Sequence, residues 1–150
     1  MSQFKFRLQT LLRLRERDRD ERRAELAQAY QAEAILQERR RQIEDELARL
    51  HDLSREAAAP GAVNVDRLLD ARRFELVLRS QQQVAEQQHE TLAVEIDRRR
   101  QAVVEANREV RVLETLRDKQ RERHRQEEGR QEIKRLDEVA TQRRGGEEGP

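Results

Sequence analysis

The chain has 150 residues, 42% of them charged and 35% hydrophobic, and its aromatic side chains amount to one tyrosine and three phenylalanines. So little apolar material excludes a globular core and leaves enough for a thin helical seam. The 32 basic and 31 acidic residues nearly cancel and are interleaved, so the chain has no field that would attract nucleic acid or an anionic membrane surface.

The chain contains no cysteine, which excludes disulfides and zinc–thiolate sites. No stretch approaches the roughly 20 consecutive apolar residues of a membrane span, and the N-terminus lacks the apolar block of a signal peptide. We therefore expect a cytoplasmic protein without direct membrane insertion.

The first predicted helix runs from about residue 4 to residue 58, because neither Gly nor Pro occurs before Pro60. Its apolar residues follow a heptad pattern when Leu12 is placed at position a. Arg15, Arg19 and Arg22 interrupt this pattern. The apolar members of the seam are Leu8, Leu12, Leu26, Ala29, Leu36, Ile43, Leu47 and Leu50.

Pro60 and Gly61 mark a turn over residues 59–64, after which Asn64 or Asp66 is expected to cap the second helix. This helix is predicted over about residues 65–140. A single hairpin is predicted to occupy residues 1–144, and residues 145–150 are predicted to form a disordered tail that follows it. The seam continues in one register, with Arg99 as an interruption. Its apolar members are Leu68, Ala71, Leu78, Ala85, Leu92, Ile96, Val103, Ala106, Val110 and Leu113.

Folding the chain at the turn brings residues whose numbers sum to about 122 to the same level, and the apolar positions of the two helices then match. Leu12 comes level with Val110, and Glu33 comes level with His89, where we expect a buried polar contact that fixes the register. The pattern predicts an all-α fold, a long antiparallel two-helix coiled-coil hairpin. The second helix is longer, and its overhang carries an apolar stripe of Ile133, Leu136 and Val139 that requires a partner.

No pattern of catalytic or ligand-binding residues emerges. The histidines, His51, His89 and His124, are too far apart along the hairpin to bind one metal ion. A two-helix hairpin offers no cleft that excludes water from a carboxylate, and the glycines are too scattered to form a phosphate-binding loop. We expect neither enzymatic activity, nor a cofactor, nor a metal site.

The N-terminus has the pattern Phe-x-Phe-x-Leu-x-x-Leu-Leu-x-Leu-Arg, which runs from Phe4 and Phe6 to Arg15. Together with the length, the charged hairpin and the central turn, this pattern resembles the flagellar export protein FliJ family. The resemblance implies a component of the flagellar type III export apparatus, similar in form to the central stalk of rotary ATPases. It also implies a location at the cytoplasmic side of the inner membrane, at the flagellar base.

The resemblance further implies two partners at opposite ends of the hairpin. The hexameric export ATPase would contact the terminal end, for which Phe4 and Phe6 and the overhang stripe are the candidates. The cytoplasmic domain of the export gate FlhA would contact the region near the turn, for which Phe74 and Leu78 are the candidates. The family is also linked to the escort of export chaperones.

Two alternatives to this interpretation remain. One is a structural coiled-coil spacer or self-associating adaptor unrelated to export, which would associate through its own seam. The other is a secretion chaperone that clamps its substrate between the two arms, although a continuous seam disfavours separated arms. Phe74 lies at heptad position g, where an exposed aromatic side chain is either a partner contact or the flank of the seam.

Overall fold

The computed structural model describes residues 2–146 and contains two helices, α1 (Gln9–Ala57, 49 residues) and α2 (Val65–Gly146, 82 residues). The described part of the chain contains no strand, and side chains of α1 pack against side chains of α2. The predicted all-α helical hairpin is therefore confirmed. The chain divides into two compact units. The first unit consists of the residues up to Asp20 together with the residues from Val104 onward, and the second unit is Glu21–Val103.

The ends of both helices differ from the predicted bounds. α1 begins at Gln9 rather than near residue 4, because residues 2–6 are extended and lead into a turn in which the Gln9 amide donates to the Phe6 carbonyl at 3.1 Å. α2 continues to Gly146, past the predicted end near residue 140, since Gln142, Arg143 and Arg144 favour helix. Residues 147–150 of the predicted tail lie outside the described residues.

The turn has the glycine conformation and the helix cap that the sequence predicts. Gly61 adopts a φ of 104°, in the left-handed region that glycine enters without steric cost. Asn64 caps α2, because its Oδ1 accepts a hydrogen bond from the Arg67 amide at 3.2 Å, and the Asn64 amide donates to the Ala57 carbonyl at 3.1 Å. The last turn of α1 is thereby joined directly to the first turn of α2.

The core of the second unit consists of Ile43, Leu47 and Leu50 from α1 and Leu78 and Ala85 from α2. Polar pairs flank this core and fix the register of the two helices. These pairs are Arg39 with Gln81 at 3.0 Å, Arg40 with Glu86 at 2.7 Å and His51 with Glu75 at 3.6 Å. Their residue numbers sum to 120, 126 and 126, close to the value that the turn position predicts.

The core of the first unit consists of Phe6, Leu12, Val110 and Leu113, with Phe4 and Leu8 packed against it. Arg15 of α1 forms an ion pair with Glu109 of α2 at 3.0 Å, so one of the predicted seam arginines is neutralised across the helix pair. The seam is thus closed by the chain's own helices in each unit.

The heptad register accounts for the buried side chains almost completely. Among residues 2–146, twelve hydrophobic side chains are buried, and all except Phe6 occupy predicted a or d positions. The predicted contact between Glu33 and His89 is not formed: both residues are half-buried, but no hydrogen bond or ion pair joins them in the described part of the chain. The register is held instead by the pairs that flank the seam.

Arg99, the seam arginine of α2, is neutralised by a carboxylate of the same helix. Arg99 Nε lies 2.7 Å from Glu95 Oε1, and Arg99 also donates to the carbonyl of Glu25 on α1. Arg98 Nη2 lies at the same distance from Glu95 Oε1. Hydrogen bonds from Arg98 and Arg99 lower the pKa of Glu95 from 4.5 to about 2.

We expect the Glu95 interactions to make stability depend on acid pH. Because folding lowers the pKa of Glu95, its contribution is fully present above pH 4.5 and is lost as the pH falls toward about 2. Unfolding followed by circular dichroism between these pH values should be less pH-dependent in Glu95→Gln than in the wild type. Exposed Glu90→Gln on the same helix is the control, and equal pH dependence in wild type and Glu95→Gln would contradict the assignment.

Candidate functional site

An open apolar groove of about 960 Å³ lies beside the turn. Its wall includes Phe74, which is 49% exposed, and Leu53, Val63 and Val65, which are 60–62% exposed. Four exposed large apolar side chains thus share one groove, and contiguous exposed apolar surface marks interaction sites.

The groove forms because its apolar residues lie outside the seam. Phe74 of α2 and Leu53 of α1 both lie at heptad position g, outside the a and d positions that fill the core, so these two side chains remain in solvent. Val63 and Val65 flank the capping residue Asn64, where the chain has just left the turn. The end of α1, the turn and the start of α2 therefore each contribute to the wall of the groove.

The two contact residues predicted near the turn, Phe74 and Leu78, differ in exposure. Phe74 is exposed, as a contact residue requires, but Leu78 is 1% exposed and belongs to the core of the second unit. Leu78 therefore supports the surface from beneath and its side chain does not face a partner. The sequence analysis missed Leu53, Val63 and Val65, although apolar residues at non-seam positions beside a turn are a detectable signal.

Charged side chains near the groove are engaged with each other. Glu75 accepts a hydrogen bond from Arg72 at 2.8 Å and lies 3.6 Å from His51 Nε2. The hydrogen bond from Arg72, followed by the contact with His51, lowers the pKa of Glu75. Asp70 at the groove lies 3.9 Å from Arg73. This arrangement offers apolar contact to a protein side chain and contains no activated acid, base or nucleophile.

The terminal region contains the other predicted contact residues. Ile133, Leu136 and Val139 are 61%, 64% and 48% exposed and form a stripe on one face of α2. Phe4 is half-buried, and Phe6 is 9% exposed inside the core of the first unit. The structure therefore assigns Phe6 to internal packing, because its ring fills the space beside Leu12 and Val110.

Other kinds of site are absent from the described residues. No group of three or more His, Cys, Asp or Glu side chains between residues 2 and 146 is arranged to hold a metal ion. Over the same residues, no helix combines the length and the hydropathy that crossing a membrane requires.

Comparison with protein-family models matches residues 4–149 to the family described as Flagellar FliJ protein. The chain belongs to the FliJ family. The match covers nearly the whole sequence, including the N-terminal Phe-x-Phe pattern, both helices and the turn. Membership in the FliJ family identifies the chain as a component of the flagellar export apparatus, in a family of non-enzymatic structural and export proteins. Neither the curated proteins nor the solved structures gave a match.

Proposed function

We propose that this FliJ-family chain is a stalk-like coupling protein between the hexameric export ATPase and the cytoplasmic domain of the export gate FlhA, and that it escorts export chaperones. The observation that carries the proposal is the apolar groove beside the turn, with Phe74 exposed in its wall, in a chain that matches the family over residues 4–149. The protein would act in the cytoplasm, bound peripherally to the inner membrane at the flagellar base.

The groove is the proposed surface for the export gate. Aromatic side chains in apolar pockets carry much of the binding energy of protein interfaces, and Phe74 has half of its surface available. The paired charges at Glu75 and Asp70 form a polar rim next to the apolar wall, which is the usual arrangement of a protein interface. Leu78 contributes by holding α2 against α1 beneath the surface.

The terminal stripe is the proposed surface for the export ATPase. Ile133, Leu136 and Val139 are exposed on the last part of α2, and Phe4 adds a half-buried aromatic ring. Phe6 is not part of this proposed surface, because its side chain is in the core. We also propose that the chain itself has no catalytic activity, because the described carboxylates and histidines lie on open helical surfaces and in ion pairs rather than in a water-excluding cleft.

Replacing Phe74 with alanine tests the gate assignment. We expect the purified wild type to bind the cytoplasmic domain of FlhA, and Phe74→Ala to raise the dissociation constant at least about thirtyfold, since a truncated hot-spot aromatic costs about 2 kcal/mol or more. Calorimetric titration measures the binding. Leu53→Ala, in the same groove, should weaken binding by a smaller factor.

Val94→Ala is the matched control, because Val94 is 72% exposed on α2 and lies outside the groove. It should bind the gate domain as the wild type does, and all variants should retain the helical content and thermal midpoint of the wild type. Binding of the export ATPase should be unaffected by Phe74→Ala and lost when residues 130–150 are removed. Equal gate binding by Phe74→Ala and wild type would refute the groove as the gate surface.

A further inference from the structure

The segment from Ser2 to Leu8, which we call the strap, lies along α2 instead of extending α1. An extended chain advances by about 3.3 Å per residue and a helix by about 1.5 Å, so the strap reaches further along α2 than another turn of α1 would. Ser2 Oγ donates to Glu128 Oε1 at 3.0 Å, and Phe6 is buried beside Val110 and Leu113. The strap is therefore anchored at both of its ends.

His124 is the centre of the distal anchor. Its Nε2 lies 3.1 Å from the carbonyl oxygen of Ser2, 3.5 Å from the Ser2 hydroxyl and 3.3 Å from Glu128 Oε1. The imidazole ring also contacts the Phe4 ring, with centroids 5.7 Å apart. A single titratable side chain thus touches the backbone, a hydroxyl and an aromatic ring of the strap, and it is half-buried by these contacts.

The charged groups that face this anchor come from α2. Glu128 is next to the imidazole, and Arg121 places its guanidinium 5.8 Å from the centroid of the Phe4 ring. Ser2 and Phe4, the strap residues in contact with His124, carry no side-chain charge. A proton on His124 therefore faces one carboxylate at close range, and one guanidinium lies against the same Phe4 ring that the imidazole contacts.

We propose that the strap is a detachable segment whose distal anchor is a histidine latch, closed more tightly when His124 is protonated. When the ring is protonated, Nε2–H still donates to the Ser2 carbonyl, and the positive charge adds attraction to Glu128. The positive ring also lies close to the Phe4 ring, whose π electrons attract a cation. Loss of this proton leaves neutral hydrogen bonds and ring packing, so the strap opens more often.

The latch controls access to the α2 surface around residues 121–128 and to Phe4. This consequence rests on the proposed function, since Phe4 is part of the proposed ATPase surface: a closed latch keeps the ring on α2, and an open latch offers it to the partner. The mobility of the strap can be measured in the full chain in the absence of any partner. Failure of the latch in the isolated protein would therefore leave the export assignment untouched.

A single spin label tests the latch, because the chain contains no cysteine and Gln3 is exposed on the strap. A nitroxide on Gln3→Cys should be more immobilised at about pH 5.5 than at about pH 8, the interval in which histidines gain a proton. We expect the ratio of immobilised to mobile label to change by about twofold or more across this interval.

Three further variants of the spin-labelled chain test whether His124 causes the pH dependence of the label's mobility. His124→Gln retains a hydrogen-bonding side chain but does not titrate, so its label should have the same mobility at both pH values. Glu128→Gln should reduce the pH effect, whereas His89→Gln, which changes a histidine outside this anchor, should preserve it. Mobility that is independent of pH in the unaltered background, or a pH effect that persists in His124→Gln, would overturn the proposal.

As a second readout, Phe4→Trp introduces the chain's first tryptophan, so its fluorescence reports the strap alone. Acrylamide should quench this tryptophan less effectively at the acidic pH, and the difference should vanish when His124→Gln is added. Quenching that does not depend on pH would contradict the latch even if the spin label perturbed the segment.

Discussion

Leu78→Ala is expected to lower the free energy of unfolding by about 2–5 kcal/mol, the range measured for removing a leucine side chain from a packed core. Leu78 is 1% exposed and packs against the α1 residues Ile43, Leu47 and Leu50. A two-helix seam has few apolar side chains, so this loss is a large share of the total stability of a domain of this size. Urea unfolding monitored by circular dichroism measures it.

Leu76→Ala is the matched control, because Leu76 lies two residues away on the same helix and is 58% exposed. It should change the free energy of unfolding by less than about 0.5 kcal/mol, as surface substitutions usually do. Similar losses for both variants would mean that α2 does not present Leu78 to α1. The stability of Leu78→Ala also affects how its binding to the gate domain is interpreted. If this variant binds the gate domain more weakly, its unfolded fraction must be subtracted before the loss is attributed to a missing contact between Leu78 and the gate.

The second large effect is expected for Phe6→Ala, which should destabilise the first unit by about 3 kcal/mol, near the lower end of values for buried phenylalanines. Phe6 is 9% exposed and contacts the cluster of Leu12, Val110 and Leu113. Its removal leaves a cavity at the point where the strap joins α1. Hydrogen exchange of the amides of residues 9–20 should accelerate, because this part of α1 loses its main aromatic contact.

Phe4→Ala provides the comparison for Phe6, since the two aromatic residues share the strap but Phe4 is only half-buried. We expect a smaller destabilisation, about 1 kcal/mol, from the lost contacts with His124 and Arg121. If Phe4→Ala proved as destabilising as Phe6→Ala, the division between a core phenylalanine and an accessible one would be wrong.

Taken together, the described surfaces give the chain two regions of different chemistry. The second unit presents a groove around Phe74 with paired charges at its edge, and the first unit presents the exposed stripe and the latched strap. Neither region contains a group suited to catalysis, whereas both contain apolar side chains that a protein partner would cover. Two such regions support the proposed coupling between two partners.

Much of the fold was predictable because the seam obeys one local rule. Residues at a and d positions had to be apolar for two long charged helices to associate, and nearly every buried side chain follows this spacing. The turn was equally predictable, since Pro60, Gly61 and Asn64 each favour a backbone conformation that a helix interior does not provide. These features depend on neighbours in the sequence.

The candidate site was predictable only in part. Phe74 could be identified because an aromatic residue at position g does not belong to the seam, but Leu78 was assigned to the surface while it occupies position d in the core. The remaining groove residues come from α1, the turn and α2 together, for example Leu53, Val63 and Ala71. Their proximity depends on how the turn closes, which heptad spacing does not specify.

The sequence by itself determined the all-α hairpin, its register, its turn and, through the N-terminal pattern, the family. The tertiary structure decided which aromatic residues are free: Phe6 is in the core, Phe74 is exposed and Phe4 lies on His124. It also decided that the N-terminal segment runs along α2 as a strap, with Ser2 bonded to Glu128. The physical reason is that helical spacing is a local property of the chain, whereas these contacts join residues more than a hundred positions apart, and their geometry exists only after α1 and α2 have packed.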